Sequence, residues 1–220
     1  MNGLNLETKD FGLGNSLSDD TRPFVSFVLL TYNQEQFVQE AVEGALAQTY
    51  NPLEIIISDD CSIDNTFEII QNTANSYIGS HRITLNQNNT NKGVVNHFNS
   101  IITQAKGKII VCAAGDDISK PYRVEVIVNK WINFNKPSAL LSRVTHIDED
   151  GNELIDIDHN SPVPVNNFLN MHDVRLQDQI KKNYYLIRGA SLAYVKSDIF
   201  QKFKPLSKNL SNEDQPLSFR

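Results

Sequence analysis

Glu54-Ile55-Ile56-Ile57-Ser58-Asp59-Asp60 and Lys108-Ile109-Ile110-Val111-Cys112-Ala113-Ala114-Gly115-Asp116-Asp117 decide how this chain reads, because each drives an apolar run straight into a pair of aspartates. Short apolar runs of this kind are the pattern of strands buried on both faces of a parallel sheet. In open α/β sheets, ligands bind in the crevice beyond the carboxyl ends of the strands, so carboxylates delivered there line a site. Four acidic groups in one crevice repel one another and repel phosphate. The arrangement becomes favourable when a hard divalent cation sits between carboxylates and a substrate's phosphate oxygens, or when some of them accept hydrogen bonds from sugar hydroxyls or a base.

Working outward from these two runs, the pattern alternates. Residues 24–31 read as a strand and 34–48 as a helix with Phe37, Val38, Ala41, Val42, Ala45 and Leu46 on one face; 53–58 is the next strand. Asp64 begins a second helix, with Phe67, Ile69 and Ile70 as its apolar positions, before a strand over 82–85. A helix over 94–105 and a strand over 108–113 complete a second βαβ unit. Right-handed crossovers place helices on both faces, so a doubly wound, mostly parallel α/β sheet is expected. Beyond Asp117 the texture changes. Pro121 suits the first turn of a helix reaching 135, 138–147 reads as a strand, and Asp150-Gly151 as a hairpin turn into a strand over 153–157. Residues 158–183 read as a long, lid-like loop with a short helix over 165–171. A strand over 184–195, a helix capped by Ser197 and reaching 203, and a last helix beginning at Glu213 follow. The C-terminal portion is therefore expected to be mixed and partly antiparallel.

Composition narrows the function. The 220 residues suit one α/β domain with a substantial core. A net charge of -6 and no Lys/Arg cluster argue against a nucleic-acid partner. No apolar run approaches the ~20 residues of a membrane span, and no signal-peptide pattern opens the sequence, so a cytoplasmic location is expected. Cys61 and Cys112 are too few for a disulfide framework and are expected to be buried, reduced thiols. The five histidines show no zinc spacing, and Trp131 reads as core.

Six motifs in order carry a resemblance: Phe24-Val25-Ser26-Phe27-Val28-Leu29-Leu30-Thr31-Tyr32-Asn33, Ala47-Gln48-Thr49-Tyr50, Ile57-Ser58-Asp59-Asp60-Cys61-Ser62-Ile63-Asp64-Asn65-Thr66, Asn91-Lys92-Gly93-Val94, Ala105-Lys106-Gly107-Lys108 and Gly115-Asp116-Asp117. Together they resemble the inverting family 2 glycosyltransferases of GT-A fold, densely over about 24–120 and more thinly beyond. Residues 1–22, rich in Gly, Asn, Ser and Asp without sustained periodicity, read as a loose leader, and the resemblance implies a single GT-A domain over 23–220. Residues 23–120 would form its nucleotide-sugar half and 121–220 its acceptor half. It implies a nucleotide-diphosphate sugar donor, with UDP the expected nucleotide, and a saccharide or lipid-linked saccharide acceptor. Peripheral association with the inner membrane face is left open. The setting implied is bacterial surface polysaccharide synthesis.

The same resemblance assigns residues. Thr31, Tyr32 and Asn33 would line the nucleotide pocket, and Asp60 would accept from the ring N–H of the base. Lys92 and Asn99 would approach the donor, and Gly189 would let the backbone come close to the donor sugar. Asp116 and Asp117 match the Asp-x-Asp segment, one coordinating Mg²⁺ or Mn²⁺ and the other binding ribose or a metal-bound water. Asp214 would be the general base that inversion requires on the acceptor side, with Glu213 as fallback. Two departures stand out: Ala114 replaces the first acidic position of the segment, and Phe98 replaces the arginine that usually precedes the matching asparagine. Relatives continue past the Glu-Asp segment, which implies acceptor-side elements beyond Arg220. Residue by residue, plainer readings exist. Asp59 and Asp60 could cap the helix near Asp64, Asp116 and Asp117 could cap the helix at Pro121, and Glu213 and Asp214 could be an acidic first helical turn. Two other functions fit the α/β pattern. A sugar nucleotidyltransferase would need a glycine-rich basic loop after the first strand, where Thr31-Tyr32-Asn33-Gln34-Glu35 stands instead. A non-catalytic nucleotide-sugar-binding module would bind without turnover.

Overall fold

The structure, a computed structural model, describes residues 22–142, 145, 147–148, 151–152, 168–170 and 192–197. Its elements run β1 (Val25–Thr31), α1 (Val38–Leu46), β2 (Leu53–Asp59), α2 (Thr66–Asn75), β3 (Arg82–Gln87), α3 (Gly93–Gln104), β4 (Ile109–Ala114), α4 (Arg123–Asn133), β5 (Ala139–Ser142), β6 (Phe168–Asn170) and β7 (Leu192–Val195). The strands form one sheet in the order β3-β2-β1-β4-β7-β5-β6. Four are parallel, with Val25 opposite both Leu53 and Ile109, and Glu54 opposite Arg82. β7 then runs antiparallel to β4 and to β5, and β5 antiparallel to β6. The expected doubly wound, mostly parallel sheet with an antiparallel C-terminal portion is what forms.

Period-two alternation explains how the helices divide between the faces. Val25, Phe27 and Leu29 of β1, with Ile55 and Ile57 of β2 and Val111 of β4, pack under α1, α2 and α4. Val28, Leu30, Ile56, Ile110 and Cys112 point the other way, against Phe98, Ile101 and Ile102 of α3. In α1 the buried positions Val38, Ala41, Val42, Ala45 and Leu46 follow a spacing of three and four, so one stripe meets the sheet. Each fully buried branched side chain contributes about 1.5–3 kcal/mol. A charge at Val42 would therefore break this face. No helix among the described residues is long and apolar enough to cross a membrane.

Several expectations need correction. The helix expected from residue 34 starts at Val38, because residues 34–37 form a turn whose Gln34 carbonyl accepts from the Phe37 and Val38 N–H groups. Of the strand expected over 138–147, the described residues show β5 over Ala139–Ser142, and 143, 144 and 146 lie outside them. The short helix expected over 165–171 is contradicted: Phe168–Asn170 pair as β6 with Leu140–Ser142, and a segment this short gains more from an open sheet edge than from a single helical turn. Cys112 is buried as expected, and burial lifts its thiol to about 12, which keeps it protonated. Cys61 is only half-buried, because it lies past the end of β2 with φ at 65°. Of the turn expected at Asp150-Gly151, Asp150 lies outside the described residues; Gly151 has φ 82°, and its N–H donates to the Asp148 carbonyl. The hairpin's second strand over 153–157, the leader over 1–21 and the helices after Ser197 lie outside the described residues.

Candidate active site

The strand order reverses at β1. The chain steps from β1 to β2 to β3 in one direction, then returns to place β4 on the other side of β1. At such a switch point the loops after β1 and β4 diverge to opposite faces and open a crevice at the carboxyl ends of the strands. Both aspartate pairs reach it. The Asp60 N–H donates to the Thr31 carbonyl, and the Gly115 N–H donates to the Leu30 carbonyl. Asp60 and the Gly115-Asp116-Asp117 segment therefore flank the end of β1, one strand spacing to each side, roughly 10 Å apart across the sheet.

On the β2 flank the two aspartates do different work. Asp59 is fully buried and shared out: Oδ1 accepts from the Thr31 and Ser62 hydroxyls, and Oδ2 accepts from the Ser62 N–H and from Gln87 Nε2. It secures the turn after β2. It does not cap α2, which has no side-chain capping bond at Asn65. Asp60, also buried, uses one oxygen only. Its Oδ1 accepts from Asn88 Nδ2 at 2.7 Å and from the Lys92 N–H at 3.0 Å. Its Oδ2 takes no hydrogen bond among the described residues and is not fully enclosed, since the single buried side-chain polar atom without a partner there is His81 Nδ1.

Behind Asp60 runs a chain of polar side chains. Asn88 Oδ1 accepts from Lys92 Nζ at 2.8 Å, Asn86 Nδ2 donates to Ser58 Oγ at 2.7 Å, and Ser58 Oγ meets His97 Nε2 at 2.6 Å. Burial holds His97 below its usual range; the Asp60 and Asp59 carboxylates pull it up, and the Lys92 ammonium pushes it down. His97 is thus neutral and shares one hydrogen bond with the Ser58 hydroxyl.

The β4 flank is built the opposite way. Asp116 is exposed and accepts no hydrogen bond among the described residues, while Asp117 is half-buried in the turn closed by its N–H on the Ala114 carbonyl. The backbone around them is clamped from below. A Cβ on Gly115 would lie 2.5 Å from Gln34 Oε1 and 2.7 Å from Thr31 Cγ2; one on Gly44 of α1 would lie 2.9 Å from the Ser119 carbonyl oxygen. The buried Gln48 donates to the Gly44 and Lys120 carbonyls, both at 2.9 Å, and accepts from the Val124 N–H. Arg123 donates to the Cys112 carbonyl at 2.7 Å and to Ser119 Oγ at 2.9 Å. Burial lowers its guanidinium to about 10, against the pull of Cys112 and Asp117, so it stays cationic at neutral pH. α4 has no side-chain cap at its start, so neither aspartate is a helix cap.

Of the residues singled out from sequence, Thr31, Tyr32, Asn33, Asp60, Lys92, Asp116 and Asp117 lie at this carboxyl edge. Tyr32 is exposed. Asn33, at φ 50°, is spent on the neighbouring loop: its N–H donates to Ser62 Oγ and its Oδ1 accepts from the Ile63 N–H. Gln34 and Glu35 extend that seam to Thr66, Asp64 and Asn65. Asn99 is half-buried on α3, and Phe98 beside it faces the core with its ring 6.4 Å from that of Tyr194. Gly189, Glu213 and Asp214 lie outside the described residues. Sequence reasoning assigned no role to Asn88, Gln48 or Arg123. Asn88 carried one usable signal, a polar residue closing a strand beside the one that delivers Asp60.

Comparison with known proteins agrees with this architecture. The pattern of glycosyl transferase family 2 matches residues 26–206, and the chain belongs to that family. It is similar to the putative glycosyltransferase EpsE of Bacillus subtilis, 40% identical over 103 residues, 47% of this chain and 36% of the relative. It is also similar to the Escherichia coli UDP-Glc:alpha-D-GlcNAc-diphosphoundecaprenol beta-1,3-glucosyltransferase WfaP, 36% identical over 110 residues, 50% of this chain and 40% of the relative. The chain thus spans well under half the length of these relatives. Among solved structures, Staphylococcus aureus TarS 1-349 in complex with UDP superposes with a TM-score of 0.63 at 19% identity, over 87% of this chain and 52% of TarS. The Pyrobaculum calidifontis mannosyltransferase PcManGT, in complex with GDP-Man and Mn2+, gives 0.50 at 24% identity over 60% of this chain and 39% of that one. The fold is of GT-A type.

Proposed function

We propose that this chain carries the donor-binding machinery of an inverting glycosyltransferase that moves a sugar from a nucleotide-diphosphate sugar, UDP-linked by preference, to an acceptor hydroxyl in polysaccharide synthesis. The observation that carries this reading is the placement of Asp60 and of Asp116-Asp117 on opposite flanks of β1 at the switch point. A nucleotide laid across that crevice would set its base against Asp60 and its diphosphate against the exposed loop. Asp116 and Asp117 offer hard oxygen donors suited to Mg²⁺ or Mn²⁺. No group of three or more His, Cys, Asp or Glu able to hold a metal is present among the described residues. When bound, such an ion neutralises the charge of the diphosphate leaving group. Thr31 and Tyr32 would line the base side, and Gly189 the sugar side. Asp214, or Glu213 in its place, would take the acceptor proton on the face opposite the diphosphate.

The test is a panel of nucleotide sugars screened with and without Mn²⁺ or Mg²⁺ for thermal stabilisation, followed by transfer and donor-hydrolysis assays. Stabilisation by one donor only with metal present, and loss of transfer with retained donor binding in Asp214→Asn, are expected. Donor binding with no turnover under any acceptor would instead point to a non-catalytic binding module.

A further inference from the structure

Asn88 occupies a position whose chemistry the donor reading has not used. It is buried, its backbone N–H donates to the Asp59 carbonyl, and its side-chain amide bridges two opposite charges: Oδ1 to Lys92 Nζ and Nδ2 to Asp60 Oδ1. These partners fix the amide's orientation, because an ammonium only donates and a carboxylate only accepts. A flipped amide would set NH₂ against ammonium and oxygen against carboxylate. Lys92 opens α3 and adds its backbone N–H to the same Asp60 oxygen. A carboxylate oxygen offers about two lone-pair positions, so Oδ1 is saturated and only Oδ2, which has no partner among the described residues, remains to receive a ligand.

We propose that Asn88 is a specificity-determining residue: by saturating Oδ1 it makes Asp60 a one-point acceptor, matched to a base with a single ring N–H such as uracil and mismatched to guanine. Guanine presents its N1–H and exocyclic N2–H side by side, a pair that a carboxylate satisfies with both oxygens at once. With Oδ1 taken, that second donor is left facing an occupied acceptor, and an unsatisfied buried polar group is costly. This inference rests on the reading of Asp60 as the base-contacting residue.

The experiment measures UDP and GDP affinity, with Mn²⁺ present, for the wild type, Asp60→Ala, Asn88→Ala and the double variant. The wild type is expected to favour UDP by at least about tenfold. Asn88→Ala should reduce that preference by about fivefold or more. In the Asp60→Ala background it should change the UDP to GDP ratio by less than about twofold, since Asn88 acts through Asp60 and the two effects are not additive. Asn88→Asp keeps the side-chain shape and guards against a folding defect. It sets two carboxylates together, so UDP affinity should fall at neutral pH and recover as the pH drops and the pair takes up a proton. Unchanged UDP affinity in Asp60→Ala overturns the base-contact reading itself. A loss in Asp60→Ala with an unchanged UDP to GDP ratio in Asn88→Ala, or a ratio that Asn88→Ala shifts as much in the Asp60→Ala background as in the wild type, overturns the role of Asn88 alone. So does a wild type that prefers GDP.

Discussion

The two flanks of β1 hold their carboxylates by opposite strategies. On the β2 side the carboxylates themselves are gripped: Asp59 accepts four hydrogen bonds, and Asp60 has one oxygen saturated by Asn88 and the Lys92 backbone. On the β4 side the grip is on the main chain, through Gln48, Gly44 and Arg123, while Asp116 projects from it exposed. The difference suits the two tasks proposed for them. A flat heterocycle is read by an acceptor held in advance at one angle, whereas an ion and a diphosphate are met from a fixed backbone on which Asp116 keeps rotamer freedom.

Replacing Asp117 by alanine gives the largest expected effect, a loss of roughly 100-fold or more in Mn²⁺-dependent donor affinity by calorimetry, with metal-free uridine binding unchanged. If Asp60→Ala lost its metal response to the same degree, the division of labour between the flanks would be broken. Gln48→Leu keeps the volume but strands the Lys120 and Gly44 carbonyls and the Val124 N–H. A loss of about 2–4 kcal/mol in denaturant unfolding is expected. The folded fraction should bind Mn²⁺ more weakly while its metal-free nucleotide affinity stays the same; equal loss of both would show that the clamp is not local to the β4 flank. Gly115→Ala sharpens the same point at about 1–3 kcal/mol, because Thr31 and Gln34 must give way to the added methyl.

The smallest effect is a pH dependence. His97 is held neutral in the folded protein and titrates at its ordinary value when unfolded, so the unfolded state takes up the proton first as pH falls. Stability contributed by the neutral ring is present above about pH 6.5 and declines below it. Melting temperatures should therefore fall further between pH 7.5 and pH 5.5 in the wild type than in His97→Gln, whose amide can still hydrogen-bond Ser58. An equal fall would show that His97 has no part in that decline.

What the sequence made legible follows from the range of the forces involved. Apolar runs and turn residues are local signals, so β1 to β4 and both aspartate pairs could be placed within a residue or two. Partners that meet across the sheet leave no local trace. Asn88 lies 28 positions from Asp60, and Gln48 lies 72 from Lys120, so neither bond could be read from spacing. The turn before α1 was missed because residues 34–37 look like an amphipathic helix start, while Gln34 and Glu35 are tied to Thr66 and Asp64, about 30 positions away. The edge strand β6 was misread because three residues carry too little periodicity to separate strand from helix.

The seam between the loops after β1 and β2 bears on any attempt to re-engineer this crevice. Asn33 bonds Ser62 and Ile63, and Glu35 takes two hydrogen bonds from Asn65, so residues 32–35 and 61–66 form one welded rim. A chimera that borrows the first loop from a homologue while keeping the second would leave complementary donors and acceptors facing strangers. The two segments have to be transplanted as a matched set.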